Sequence, residues 1–210
     1  MEHIWTAYQT VRRRSCVESV VNKSRFIAIA FPAFSAEEAQ AGVDAIRREY
    51  ADCSSMCYGY VCGFSGQIQK FFDDHEPVGG MPILDAIRKR GLTGCACAVV
   101  RYFGGVKLGM GGLARAFGSA AIEAVEAAEP GTARKSLRMG IRAGYEYHGK
   151  VDYYLAHSPY ILEDTQFTDR VGLRVLLPWE EKDAFSAAVQ DLCAGNAELE
   201  VLEETFAFWE

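Results

Sequence analysis

Several features are missing from this 210-residue sequence, and each absence excludes a class. No run approaches the roughly 18 to 20 apolar residues that a membrane span needs, and the opening MEHIWTAYQTVRRRS lacks the apolar core of a secretory signal. A soluble cytoplasmic protein with no membrane partner is therefore expected. Histidine is scarce, at 4 residues. His3, His148 and His157 are too scattered to build a site, and neither H-E-x-x-H nor a G-x-S-x-G elbow occurs, which argues against a zinc or serine hydrolase. There is no Cys-x2-Cys knuckle among the 7 cysteines, an odd set lying mostly in apolar stretches, so reduced thiols packed as small hydrophobes are expected rather than zinc ligands. No metal and no cofactor are expected.

What the sequence does contain is enough apolar material, 50%, to bury a core, in a length that fits one large domain or two small ones. The net charge of -6 argues against a protein that coats nucleic acid, but it is unevenly spread. Residues 138–210 carry 6 Lys+Arg against 14 Asp+Glu, whereas residues 1–137 carry 16 against 14. Within 81–118 the cations Arg88, Lys89, Arg90, Arg101, Lys107 and Arg115 face only Asp85.

Patterning divides the chain in the same way. Strands are expected at Cys16 to Val21 and Arg25 to Phe31, joined by a hairpin turn, followed by a helix that Ser35 caps. Strands at 56–64 and 68–72, a short helix from Pro82 to Gly91, a buried strand from Cys95 to Phe103 and a helix from Gly112 complete a domain over 1–131. Pro130-Gly131 ends that helix, and residues 132–137 are expected as a linker. In 138–210 the order strand, helix, strand, strand, helix, strand is the ferredoxin-like βαββαβ arrangement, a scaffold that fixes no activity.

The stretch RYFGGVKLGMGGLARAF, Arg101 to Phe117, places five glycines and three cations between a strand and a helix. A strand, a glycine-rich loop and a helix start aim backbone N–H groups and a positive dipole end at one point, which suits an anion. It is not a Walker loop, because Leu108 follows Lys107 where a hydroxyl is needed. Gly109-Met-Gly111-Gly112-Leu-Ala114 matches the dinucleotide fingerprint by letter, but its helix leads into the linker rather than into a second parallel strand. The expected phosphate or nucleic-acid contacts are Arg101, Tyr102, Gly104, Gly105, Lys107, Gly109, Gly111, Gly112 and Arg115, with Tyr102 or Phe103 stacking on a base; a purely structural turn is the alternative. A second loop gathers Asp73, Asp74, His75 and Glu76, a polar group able to hold a divalent ion or move a proton, or simply to be solvated.

At these two loops the sequence resembles the YigZ/Impact family. The matching residues are Lys23-Ser-Arg-Phe-Ile27, Cys57-Tyr58, Asp73-Asp74 with Glu76-Pro77, Pro82-Ile-Leu84, and Val100 through Gly105 with Leu108-Gly109, Gly111 to Leu113 and Arg115-Ala116. The resemblance implies an α+β fold: a first domain similar to the second domain of ribosomal protein S-five, then a ferredoxin-like domain similar to one in the translocation elongation factors. It implies a role near translation, with RNA, the ribosome or a protein as partner. Eukaryotic members regulate translation initiation, partly through an additional domain with no counterpart in this sequence, so that partner is not implied. Members usually read Asp-Asp-Gly-Glu-Pro followed by a Gly-Thr-Ala-Gly loop. Here His75 replaces the glycine, Val78 to Met81 is shorter, and a histidine that commonly precedes the Cys-Tyr pair is replaced around Ser55. The expectation is a phosphate-contacting regulatory protein, the alternative a small-molecule enzyme using residues 73–76. The oligomeric state is not legible.

Overall fold

The computed structural model describes residues 6–75 and 77–209, which divide into two compact units: residues 8–132, and residues 133–209 with 6 and 7. After a short strand β1 (Ala7–Val11), which the patterning did not mark, the first unit contains β2 (Ser15–Val21), β3 (Ser24–Pro32), α1 (Ala36–Glu49), β4 (Ser55–Cys62), β5 (Ile68–Phe72), α2 (Gly80–Arg88), β6 (Cys95–Tyr102) and α3 (Gly109–Ala127). Its sheet runs β2-β3-β6-β4-β5, with antiparallel pairing throughout.

Side chains alternate across a strand, so β6 serves two cores. Cys95, Cys97 and Val99 pack with Phe117 of α3 and Ile83 and Ile87 of α2. Ala96, Ala98 and Val100 pack with Ala39, Val43 and Ile46 of α1. The central strands are thus buried on both faces, and the cysteines among them are core. Burial pushes the Cys95 thiol up to about 12, which keeps it protonated at neutral pH.

Local chemistry fixes the element ends. Asn22 and Lys23 both take positive φ, 46° and 64°, as a two-residue hairpin of the twist-matched type requires. Ser35 Oγ accepts from the Glu38 N–H at 3.1 Å, while the Glu38 carboxylate reaches back to the Phe34 N–H at 2.7 Å. Arg90 of the α2 end bonds Glu126 of α3, Nε to Oε1 at 2.9 Å.

A long strand, β7 (Pro130–Ala143), follows α3. Residues 132–137, expected as a linker, are extended β backbone within it, because proline is tolerated at the first residue of a strand. The second unit continues with α4 (Tyr145–Ala156), β8 (Ile161–Phe167), β9 (Val171–Pro178), a short 3-10 turn, α5 (Lys182–Leu192) and β10 (Glu198–Phe208). Here β10, β7, β9 and β8 lie side by side in that order, the ferredoxin-like arrangement. Leu137, Met139, Ile141, Leu173 and Val175 face Val151, Phe185 and Val189 of the helices. On the other side of the strands Arg138 bridges Glu163 at 3.0 Å and Glu203 at 2.5 Å. Among the described residues no helix is long and apolar enough to cross a membrane.

Candidate functional site

Between β6 and α3 the chain passes through residues 103–108 and closes over a pocket of about 390 Å³. Arg101, Phe103, Lys107, Leu108, Gly109, Met110 and Leu113 line it from this segment, and Pro77 and Val78 line it from the loop before α2. Both loops singled out from the sequence therefore border one cavity.

Arg101 is the last inward residue of β6 and only 4% exposed, and a guanidinium so deep needs partners. Its Nη2 donates to Ser24 Oγ at 3.3 Å, and its charge lies 5.7 Å from the Phe26 ring centre and 5.2 Å from that of Phe103. Ser24 Oγ also accepts from the Gly104 N–H at 3.3 Å, and Ser54 Oγ accepts from the Phe103 N–H at 2.9 Å. The β2–β3 turn thus holds the glycine loop across some 80 residues of sequence. Phe26 in turn meets Phe117 of α3 edge to face.

The five glycines do three different things. A Cβ on Gly104 would stand 1.8 Å from the Lys23 carbonyl oxygen, so nothing larger fits between loop and hairpin. Gly105 and Gly109 have φ of +85° and +67°, the left-handed region that glycine enters without strain. Gly111 and Gly112 answer neither demand: a Cβ on Gly111 would meet nothing closer than 3.9 Å, and one on Gly112 nothing closer than 3.4 Å. These two leave the first turn of α3 bare. That turn has no acidic residue, and Leu108 at its start supplies no side-chain cap, so its positive dipole end meets no acid of its own first turn.

The remaining expected residues separate by position. Lys107 is exposed and lines the pocket. Arg115 is exposed on α3 but does not line it. Tyr102 points to the α1 face of the sheet, where its hydroxyl donates to Asp52 Oδ1 at 2.7 Å; that bond to a carboxylate pushes the phenol up to about 12. Phe103, not Tyr102, is the aromatic ring beside the pocket. The cations at 88–90 belong to the far end of α2, where Arg88 and Lys89 each lie 3.9 Å from Asp85.

In the acidic loop the carboxylates serve the backbone. Asp73 Oδ1 accepts from the Gly80 N–H at 2.6 Å, which satisfies the first turn of α2, and Asp74 Oδ2 accepts from the Met56 N–H at 3.2 Å. His75 is exposed, its Nε2 3.7 Å from Asp74 Oδ1, and Glu76 lies outside the described residues. No group of three or more histidine, cysteine or acidic side chains stands close enough to hold a metal among the described residues.

Comparison with known proteins matches the Impact N-terminal domain over residues 22–125 and a domain of unknown function, DUF1949, over residues 141–196. The IMPACT family member YvyE of Bacillus subtilis is 34% identical over 203 residues, covering 95% of this chain and 93% of that protein. This chain belongs to the Impact family. Further members are similar: one from Thermus thermophilus at 36% identity, covering 84% of this chain and 97% of that one, and YigZ of Escherichia coli at 32%, covering 88% and 92%. A crystal structure of a hypothetical protein matches with a TM-score of 0.61 and 27% identity, over 95% of this chain and 99% of that chain. Both family domains thus fall where the fold divides. Sequence reading missed the pocket's apolar lining, Val78, Leu108, Met110 and Leu113, and the anchoring hydroxyls of Ser24 and Ser54. Ser24 had a signal, since it lies within a family motif; Ser54 had none.

Proposed function

We propose that this Impact-family chain is a cytoplasmic, translation-associated RNA-binding protein, and that the pocket under the glycine loop receives a phosphate of the RNA. The observation that carries the reading is the pocket lining itself. Arg101 and Lys107 supply charge, the start of α3 supplies N–H donors, and Phe103, 48% exposed, offers a ring on which a base can stack. The net negative charge of the chain restricts binding to this local site rather than to a broad basic face.

The expected signature is electrostatic. With two cations neutralising phosphates on a single strand, affinity falls about sevenfold between about 50 and about 200 mM salt. Fluorescence anisotropy with a short labelled single-stranded RNA measures this directly, and sedimentation with ribosomes extends it to the assembled particle. A flat response to salt, or no association at low salt, overturns the reading. The enzyme alternative through residues 73–76 draws little support, because Asp73 and Asp74 are bonded to backbone N–H groups rather than turned toward the cations. Thermal shift against nucleotides with and without magnesium tests it, since saturation at a hundred times the dissociation constant adds about 2.7 kcal/mol.

A further inference from the structure

The second unit leaves one sheet edge open. In the order β10-β7-β9-β8 the last strand, β8, pairs with β9 on one side and with no strand among the described residues on the other. An unpaired edge offers a row of backbone N–H and C=O groups to any further strand. The register fixes where its side chains point. Leu162, Thr165 and Phe167 stand opposite Val175, Leu173 and Val171 of β9, which belong to the core under α4 and α5, so these three face the helices. Asp164 and Gln166 point to the opposite face. Leu162 is 37% and Phe167 61% exposed, and neither is part of that core.

Helix α4 lies beside this edge. Its Tyr145 stacks on Phe167 with ring centres 6.4 Å apart and donates its hydroxyl to the Thr168 carbonyl at 2.6 Å, while His148 meets Phe167 edge-on at 5.4 Å. Toward the other end of the helix, Asp152 and Ala156 line a cavity of about 280 Å³ together with Leu162. Positions 145, 149, 152 and 156 recur on one helical face, so Gly149 stands between those two ends. A Cβ there would meet nothing within 4 Å, so no neighbour demands glycine, although glycine is unfavourable inside a helix. The result is a trough between strand and helix, apolar along both walls and clear in the middle. An extended peptide that adds as a further strand fits such a trough, its backbone on the edge and alternate side chains inside.

Charge decides the occupant. Along α4 and β8, residues 145–167, the acids Glu146, Asp152, Glu163 and Asp164 stand against Lys150 alone. Glu163 is taken by Arg138 at 3.0 Å. Asp152 and Asp164 make no ion pair among the described residues, and neither does Arg174, the residue opposite Asp164 in the ladder. A second copy paired antiparallel about the middle of β8 would set the two Asp164 carboxylates beside one another, which disfavours it. The edge thus repels its own kind and attracts cations. We propose that the trough between β8 and α4 binds an extended segment of a partner protein in which apolar and basic residues alternate. Its backbone adds to β8, its apolar side chains enter against Leu162, Phe167 and Gly149, and its basic ones meet Asp164 on the other face. This site lies within the second unit and does not rest on the RNA pocket of the first.

The probe is a labelled peptide of 7 residues, the length of β8, reading Lys-Val-Lys-Val-Lys-Val-Lys and titrated with the full chain by anisotropy. Its controls exchange every lysine for glutamate or every valine for serine. Binding about tenfold tighter than either control is expected, because opposite charge and the apolar walls both contribute. Two further peptides carry N-methyl groups on alternate residues, one at the odd positions and one at the even. An added strand turns only every second N–H toward its neighbour, so one of the two loses binding about tenfold while the other keeps it. Gly149→Gln fills the trough without entering the core, and it should lower affinity about tenfold while the thermal transition holds or rises. Equal binding of the lysine and glutamate peptides, equal effects of the two N-methyl sets, or unchanged affinity in Gly149→Gln each overturns the proposal. A dimer in sedimentation equilibrium that Gly149→Gln dissociates makes a second copy the occupant and overturns it too. The N-methyl comparison needs no change in the protein, so a variant that unfolds cannot mask the answer.

Discussion

The loops at 73–79 and 103–108 both border the pocket, the first rich in acidic residues and the second in glycine, yet the charges in and beside them do opposite work. In the first, two carboxylates turn inward onto backbone N–H groups, Asp73 onto Gly80 at the start of α2 and Asp74 onto Met56 of β4. In the second, hydroxyls from Ser24 and Ser54 accept from the Gly104 and Phe103 N–H groups, and Arg101, itself bonded to Ser24, lines the cavity with Lys107. The α2 start is capped by an acid from a distance, whereas the α3 start has no side-chain cap. The difference teaches that carboxylates drawn onto backbone N–H groups are taken up by the fold, whereas a loop whose backbone is held by hydroxyls does not spend its charges on that task.

The comparison breaks most completely at Gly104. Replacing it with alanine places a methyl 1.8 Å from the Lys23 carbonyl oxygen, and since the obstacle is backbone the loop itself must move. Gly104→Ala is expected to destabilise the first unit by about 3 kcal/mol, near the upper end for overpacking, and to abolish RNA binding with it. Urea unfolding alongside anisotropy checks both, and a variant of normal stability that still binds would show that the hairpin does not hold the loop.

Next in size is Asp73→Ala, which leaves the Gly80 N–H without its partner at 2.6 Å and costs about 2 kcal/mol, as for the stronger helix caps. RNA affinity should hardly change. Thermal unfolding and anisotropy together read the separation; an affinity loss equal to that of a pocket cation would mean that the acidic loop belongs to the binding surface after all.

How far these contrasts were legible beforehand varied with the range of the interaction. The helix capped by Ser35 and strand β5 follow from a cap and a run a few residues long, and the structure places them at the expected positions; the strand and helix order of 138–210 is likewise the one expected. The start of β7 was hidden because Pro130-Gly131 reads equally well as a helix stop and as a strand opening. Alternation along β6 implies that Arg101 and Tyr102 face opposite ways, but not which of them meets α3. The fate of Asp73 and Asp74 was illegible, since each carboxylate finds its N–H only after α2 and β4 have packed. The role of Ser24 depends on a loop 80 residues later.

Lys107 sharpens the contrast from the other side. Exposed at the pocket mouth, it contributes little to folding, so Lys107→Ala should leave the thermal transition in place while weakening RNA binding about tenfold, or ~1.4 kcal/mol. The slope of log affinity against log salt should fall by about 0.7, the share of one cation on a single strand. Arg115→Ala, on the same helix but outside the pocket, is the internal control and should cost less. A larger loss for Arg115 would move the phosphate from the cavity to the outer face of α3.

The smallest effect discriminates most finely between a turn and a site. Glycine in a helix is less favourable than alanine by up to about 1 kcal/mol, and at Gly111, where a Cβ meets nothing closer than 3.9 Å, alanine has room. Gly111→Ala should therefore stabilise the first unit by about 0.5 kcal/mol, the lower part of that range because the position is in the first turn. If the glycine is only a relic of loop geometry, binding is untouched. If the bare turn meets phosphate, the added methyl obstructs the N–H groups there, and affinity falls by a factor of a few while stability rises. Opposite movements of stability and affinity in a single variant cannot come from damage to the fold, so this one substitution isolates the contact at the start of α3 from everything that holds the loop in place.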